Sequence, residues 1–312
     1  MTTYAPHQPT GHHPTLLTPE QWREREARHH QRVDALVAGH LRRRSHGQQH
    51  PVKDFLFTYY SHRPAQLRRW HPGMGTALQW TQSSPHPRRK WRYYGQYPTA
   101  QHTSGSAMGL DVATFMAERG ATVEFVAALL SATNARPPNL GCFGLHEWAM
   151  VYRTSAKEIR HQGVPLRLSG AETDAVVEDH RIRCSHYDAY RFFTDDAAPR
   201  NQLRPTRTGQ IDQEQPGCLH ATMDCYKWAY KLAPAVPSEL VVDCFELARD
   251  VRELDMRASP YDLSAWGYTP VRIETAEGKA SYVSAQRAFA ERSQELRERL
   301  LAVCRELLEY PA

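Results

Sequence analysis

The chain has 312 residues, enough for one large domain or two ordinary ones. Its charged fraction of 23% and hydrophobic fraction of 41% are those of a globular protein, and no apolar run approaches bilayer length. A formal charge of +5 permits phosphate binding without requiring it, and six cysteines with no Cys-x-x-Cys pair argue against a cysteine zinc site.

Residues 1–17 hold Pro6, Pro9, Pro14 and several histidines, which predicts a flexible arm. They show no apolar leader core, so reduced thiols and a cytoplasmic location are expected. Thr18, Pro19 and Gln21 form a helix-start signature with a capping-box partner. The helix should run to about Arg44, with Trp22, Val33, Leu36, Val37 and Leu41 inward, a basic outer face, and Gly47 as its stop. From His50 to Trp70 two short helices are expected, divided at Pro64. Periodicity fails between His71 and Gln101, where glycine, proline and serine predict a loop.

Helical spacing returns at 110–118, 121–134 and 141–153. A short helix is expected at 171–179. Strands are expected at 166–168, at the start of 181–193, and at 271–273. Residues 195–216 read as a long polar loop, a length that is often functional. Long helices follow at 218–232, 239–256 and 281–308, with Ser238 as a cap. The expected fold is mainly α with a small β element (α+β): a flexible arm over 1–17, a basic helix over 18–49, and a single large helical domain over 50–312.

Several constellations could carry chemistry. Arg68 and Arg69 precede a glycine turn, and Arg88, Arg89, Lys90, Trp91, Arg92 and Tyr93 follow it. Cations attract phosphates and rings stack on bases, so this pattern suits distorted or single-stranded nucleic acid. A solvated surface with inward-packed rings gives the same composition.

His186 and Asp188 would share one face of a strand, and His220 and Asp224 one face of a helix. Together they could form a general-base site, or a buried hydrogen-bond network. His186, Asp188 and His220 also satisfy the formal two-His, one-carboxylate pattern of a metal site, with iron or zinc as the alternative to a cofactor-free protein.

His146-Glu147 lacks the second histidine of a zinc-protease helix, but Glu147 could act as acid or base. Gly217 opens a helix whose amides could hold an anion. Lys227 could neutralise phosphate, or attack an abasic sugar as a Schiff-base lyase does. Asp243, Glu246, Asp250 and Glu253 make one stripe with Asp255 following. Interspersed arginines mark a charged outer face, although with inward histidines such a stripe could form a carboxylate metal site.

The stretches His50–Tyr60, Arg63–Leu67 and Asp224–Leu232 resemble a family of actinobacterial proteins generally labelled 3-methyladenine DNA glycosylase. The resemblance covers most of the chain from His50 onward. It implies a DNA-repair hydrolase that binds DNA and cleaves the N-glycosidic bond of an alkylated purine without a metal. Such an enzyme needs a flipped base, stacking rings such as Trp91, Tyr93 or Trp148, and a carboxylate such as Asp188 or Glu147. No helix-hairpin-helix with a following aspartate is present, so no catalytic residue carries over by motif. A metal-dependent enzyme and a non-catalytic nucleic-acid-binding protein are the competing expectations.

Overall fold

The computed structural model describes residues 14–81, 85–97, 105–154 and 163–310. Its first elements are β1 (Thr15–Leu17), α1 (Pro19–Ser45), α2 (Phe55–Tyr59) and α3 (Pro64–Leu67). Strands β2 (Thr76–Thr81), β3 (Tyr94–Tyr97) and β4 (Gly105–Leu110) follow, then α4 (Val112–Asn134), α5 (Leu145–Ala149), α6 (Gly170–Glu178) and α7 (Tyr187–Tyr190). The chain ends with α8 (Gln210–Gln213), α9 (Leu219–Lys231), α10 (Ser238–Arg257) and α11 (Ala276–Leu308). The protein is thus mainly α with a small sheet.

The start of α1 forms as its residues dictate. Thr18 Oγ1 accepts the Gln21 amide at 3.3 Å, and Gln21 Oε1 accepts the Thr18 amide at 2.9 Å. Its inner stripe buries Trp22, Val33 and Val37. Its basic face meets acids from α10: Arg25 pairs with Glu239 at 2.9 Å, and Arg32 reaches Asp243 and Glu246, each at 2.8 Å. Part of the α10 carboxylate stripe is therefore an inter-helix seam rather than a free outer face. Asp250 and Glu253 keep to the outer side with Arg292 and Arg257.

The sheet has the order β1-β2-β4-β3, parallel between β1 and β2 and antiparallel elsewhere. This corrects the sequence expectation in several places. Residues 15–17 of the expected arm form an edge strand, while 1–13 lie outside the described residues. The expected loop over 71–101 contains β2 and β3. The strands expected at 166–168 and 181–193 reduce to single bridges, Leu166 to Tyr261 and Ile182 to Asn201, and the second stretch contains α7. Residues 271–273 form no strand, although Val271 and Ile273 are buried.

Helix α9 is buried on almost every side, from Leu219 to Tyr226 and again at Trp228 and Ala229. A helix buried all round belongs in the centre of a fold. It packs against α10 and α11, and α11 lies along α4. Its polar residues His220 and Asp224 are consequently interior, so their hydrogen-bonding capacity must be met by other protein groups. That requirement organises the site. Among the described residues, no helix is long and apolar enough to cross a membrane.

Candidate functional site

Asp224 sits on α9 and is 1% exposed. Its Oδ1 accepts the Tyr60 hydroxyl at 2.9 Å. Its Oδ2 accepts Lys227 Nζ at 2.8 Å and lies 3.3 Å from His186 Nε2. His186 Nε2 also lies 3.3 Å from Glu214 Oε1. Burial alone would raise the Asp224 pKa, but Lys227 and His186 outweigh it and hold the carboxyl below its usual range. Burial raises the Glu214 pKa, and it would lower that of His186, where the Asp224 contact prevails and raises it.

Lys227 links this buried group to the surface, because its Nζ also reaches Asp188 Oδ2 at 3.2 Å. Burial would lower the Lys227 pKa. Its pairing with Asp224, then Asp188, overcomes that and raises it above the ordinary lysine value. Held as an ammonium by Asp224 and Asp188, Lys227 is a poor nucleophile, which counts against the Schiff-base role considered for it.

His186 and Asp188 do not share a face. His186 precedes the one-turn helix α7 and points inward, wholly buried, whereas Asp188 lies on α7 and lines a cavity. A helical turn separates side chains that a strand would align. The His186/Asp188/His220 metal set is corrected accordingly: the groups clustered with His186 are Glu214 and Asp224.

His220 joins two clusters. Its ring lies 5.2 Å from His186 and packs edge-on to His146 at 4.5 Å, centroid to centroid. Burial, then the neighbouring His146 and His186, hold its pKa well below the usual value, so it is neutral. His146 Nε2 faces Asp255 Oδ1 at 3.0 Å, and Arg252 Nη1 holds Asp255 Oδ2 at 2.8 Å and Glu147 Oε1 at 2.7 Å. Glu147 is thereby tied into the core and lines none of the cavities described below.

The cavity above Asp188 measures about 830 Å³. Tyr59, Tyr60, Phe192, Tyr230 and Trp266 contribute rings to it, and Arg191, Arg207, Lys227 and Lys231 contribute cations. Arg191 Nε holds Asp188 Oδ1 at 3.1 Å, so both carboxylate oxygens are oriented by cations. Its size falls within the range of small-molecule and nucleotide sites.

The two stretches 50–60 and 224–232 meet here, through Tyr60 to Asp224 and then His62 to the Tyr226 hydroxyl at 2.9 Å. Both stretches stand out in the sequence, but nothing local in either sets them against each other. Their meeting is what brings Tyr59, Tyr60 and Tyr230 to one cavity. Arg191, Arg207 and Trp266 carried no sequence signal.

The basic-aromatic segment divides. Arg88 is 1% exposed and lies over Trp22, Trp70 and Trp91, with Glu26 as its counter-ion. It is a core cation, and its expected contact with nucleic acid is withdrawn. Arg68 is exposed but bound by Asp34. Arg89 and Lys90 are exposed. Arg69, Trp91, Arg92 and Tyr93 line a smaller cavity of about 350 Å³, which shares Ser61, Tyr230 and Lys231 with the larger one. Trp148 is fully buried, its indole donating to Ala258 O, and is unavailable for stacking on a base. The Gly217 amide donates to Gln215 Oε1 at 2.7 Å and the Cys218 amide to the Gln215 carbonyl at 3.1 Å, so neither is free to hold an anion.

In comparisons with known proteins, the chain matches no family model, no curated protein and no solved structure.

Proposed function

We propose that the chain is a DNA glycosylase that hydrolyses the N-glycosidic bond of an alkylated purine, with the base held in the larger cavity and Asp188 as the working carboxylate. The supporting observation is the convergence of Asp188, several aromatic rings and exposed cations on that one cavity. An N-alkylated purine carries positive charge, which favours stacking on the faces of Tyr59, Tyr230 and Trp266. Departure of the base leaves a cationic sugar, and a fixed carboxylate beside it stabilises that charge or places the attacking water. Arg191, Arg207 and Lys231 suit the flanking phosphates, and the adjoining cavity with Arg69, Trp91 and Arg92 suits a neighbouring nucleotide.

Of the carboxylates considered, Asp188 is the one that both lines the cavity and stays off the buried network's centre. Asp224 is saturated by Tyr60, His186 and Lys227, and Glu147 by Arg252.

The test is release of free base from duplex DNA carrying 7-methylguanine or 3-methyladenine, followed chromatographically. Wild-type protein should release base, and Asp188→Asn should lose roughly 10²–10⁴-fold in rate while keeping its circular dichroism spectrum. No release by folded wild-type protein, where a control enzyme works, rejects the reading. Salt-sensitive DNA binding without base release would leave a binding protein instead.

A further inference from the structure

The cluster between α5 and α10 takes no part in the reaction above. His146 and Glu147 reach it because Gly144, in the left-handed region at φ 69°, turns the chain abruptly into α5. Asp255 comes from the last turn of α10. One ligand-type atom from each of His146, Glu147 and Asp255 lies within 4.8 Å of the others, and all three residues are buried.

Two features separate this cluster from an ordinary buried ion pair. His146 Nε2 and Asp255 Oδ1 pair at 3.0 Å, but the contact is poorly aligned for a hydrogen bond and neither atom makes a well-aligned one to any other group. Their residues are 4% and 0% exposed. In addition, Arg252 grips the other oxygen of Asp255 and one oxygen of Glu147, fixing how both carboxylates are presented. Groups that orient ligands from behind do this in metal sites. Two ligands at right angles, each ~2.1 Å from an octahedral ion, are roughly 3.0 Å apart.

The second cluster, His186, Glu214 and Asp224, lacks these features. There the Asp224 oxygen facing His186 already accepts the Lys227 ammonium, and the Glu214 oxygen already accepts Gln210.

We propose that His146, Glu147 and Asp255 bind one divalent metal ion that ties α5 to α10. One imidazole and two carboxylates suit the hard-to-borderline ions Mn²⁺, Fe²⁺ and Zn²⁺. His220, edge-on to His146, walls the site on the α9 side. The proposal is independent of the glycosylase reading.

The full chain, stripped with chelator and desalted, is titrated with Mn²⁺, Zn²⁺ or Co²⁺ alone, and bound metal is counted by mass spectrometry. One equivalent should bind, with visible d–d absorption for Co²⁺. His146→Gln and Asp255→Asn should each weaken binding at least ~tenfold, since loss of even a group that only orients a ligand costs that much. His186→Gln should leave it intact. Should either variant fail to fold, Mn²⁺ added to wild type should broaden the NMR methyl signals of Leu145 and Leu254, which flank the site. Absence of stoichiometric metal overturns the proposal. So does binding insensitive to both substitutions, binding abolished by His186→Gln, or broadening confined to other methyls.

Discussion

Asp188 and Asp224 share one lysine and differ in almost everything else. Asp224 is buried and accepts from three side chains, so replacing it takes the nearest counter-charge from Lys227 and a hydrogen-bond acceptor from both His186 and Tyr60. Breaking a buried pair in this way costs about 3–5 kcal/mol. Asp188 has a side chain 22% exposed, and its partners can turn to water. Its loss should cost no more than about 1 kcal/mol. Urea denaturation of Asp224→Asn and Asp188→Asn should show that contrast, while base release shows the larger effect for Asp188→Asn. Equal destabilisation by the two variants would mean that Asp188 belongs to the structural network. At this scale the residue types were legible in the sequence and their directions were not. Two-residue spacing aligns His186 and Asp188 only on a strand, and nothing local announces the single turn of α7. Arg88 was misplaced for a similar reason: its run of cations reads as surface, and only the assembled rings of Trp22, Trp70 and Trp91 draw it inside.

Elements with their own end signals were legible. The α1 capping box, the helical spans of α9 and α10, and the end of α11 follow from residues a few positions apart. The sheet was not legible, because its strands are short and carry glycine where a strand usually packs a side chain. Gly95 of β3 pairs with Gly109 of β4, and a Cβ at Gly95 would lie 3.3 Å from Asp111 Cβ. Gly95 serves close approach, yet in sequence it reads as part of a turn-rich loop. Gly278 makes the same point within a helix. In an exposed helix, alanine in place of glycine gains roughly 1 kcal/mol. Here a Cβ would sit 1.8 Å from the Arg272 carbonyl oxygen, which belongs to backbone and cannot swing away. Gly278→Ala should therefore destabilise the protein, by about 1–3 kcal/mol as overpacking does. A rise in melting temperature would show that the start of α11 can shift to accommodate the methyl group.

For the molecule as a whole, buried neutral histidines set how stability responds to acid. His62 packs parallel to Tyr230 with centroids 4.6 Å apart, and its Nδ1 meets the Tyr226 hydroxyl, so it joins the segment before α3 to α9. Burial pushes its pKa down to about 4, and burial with Arg69 and Arg88 nearby pushes that of His71 down to about 3. Unfolding returns both to about 6.5, so below that pH the unfolded chain binds more protons than the folded one. Their contribution is complete above pH 6.5 and is lost as pH falls towards 4 and then 3. For His62 the loss amounts to at most about 3 kcal/mol. Unfolding free energy measured in urea should fall steadily from pH 6.5 to 4. His62→Gln should flatten that slope, since the amide can still meet Tyr226 but binds no proton. An unchanged slope in a folded His62→Gln protein would place the acid sensitivity elsewhere and would mean that His62 can be protonated where it lies, between Tyr226 and Tyr230.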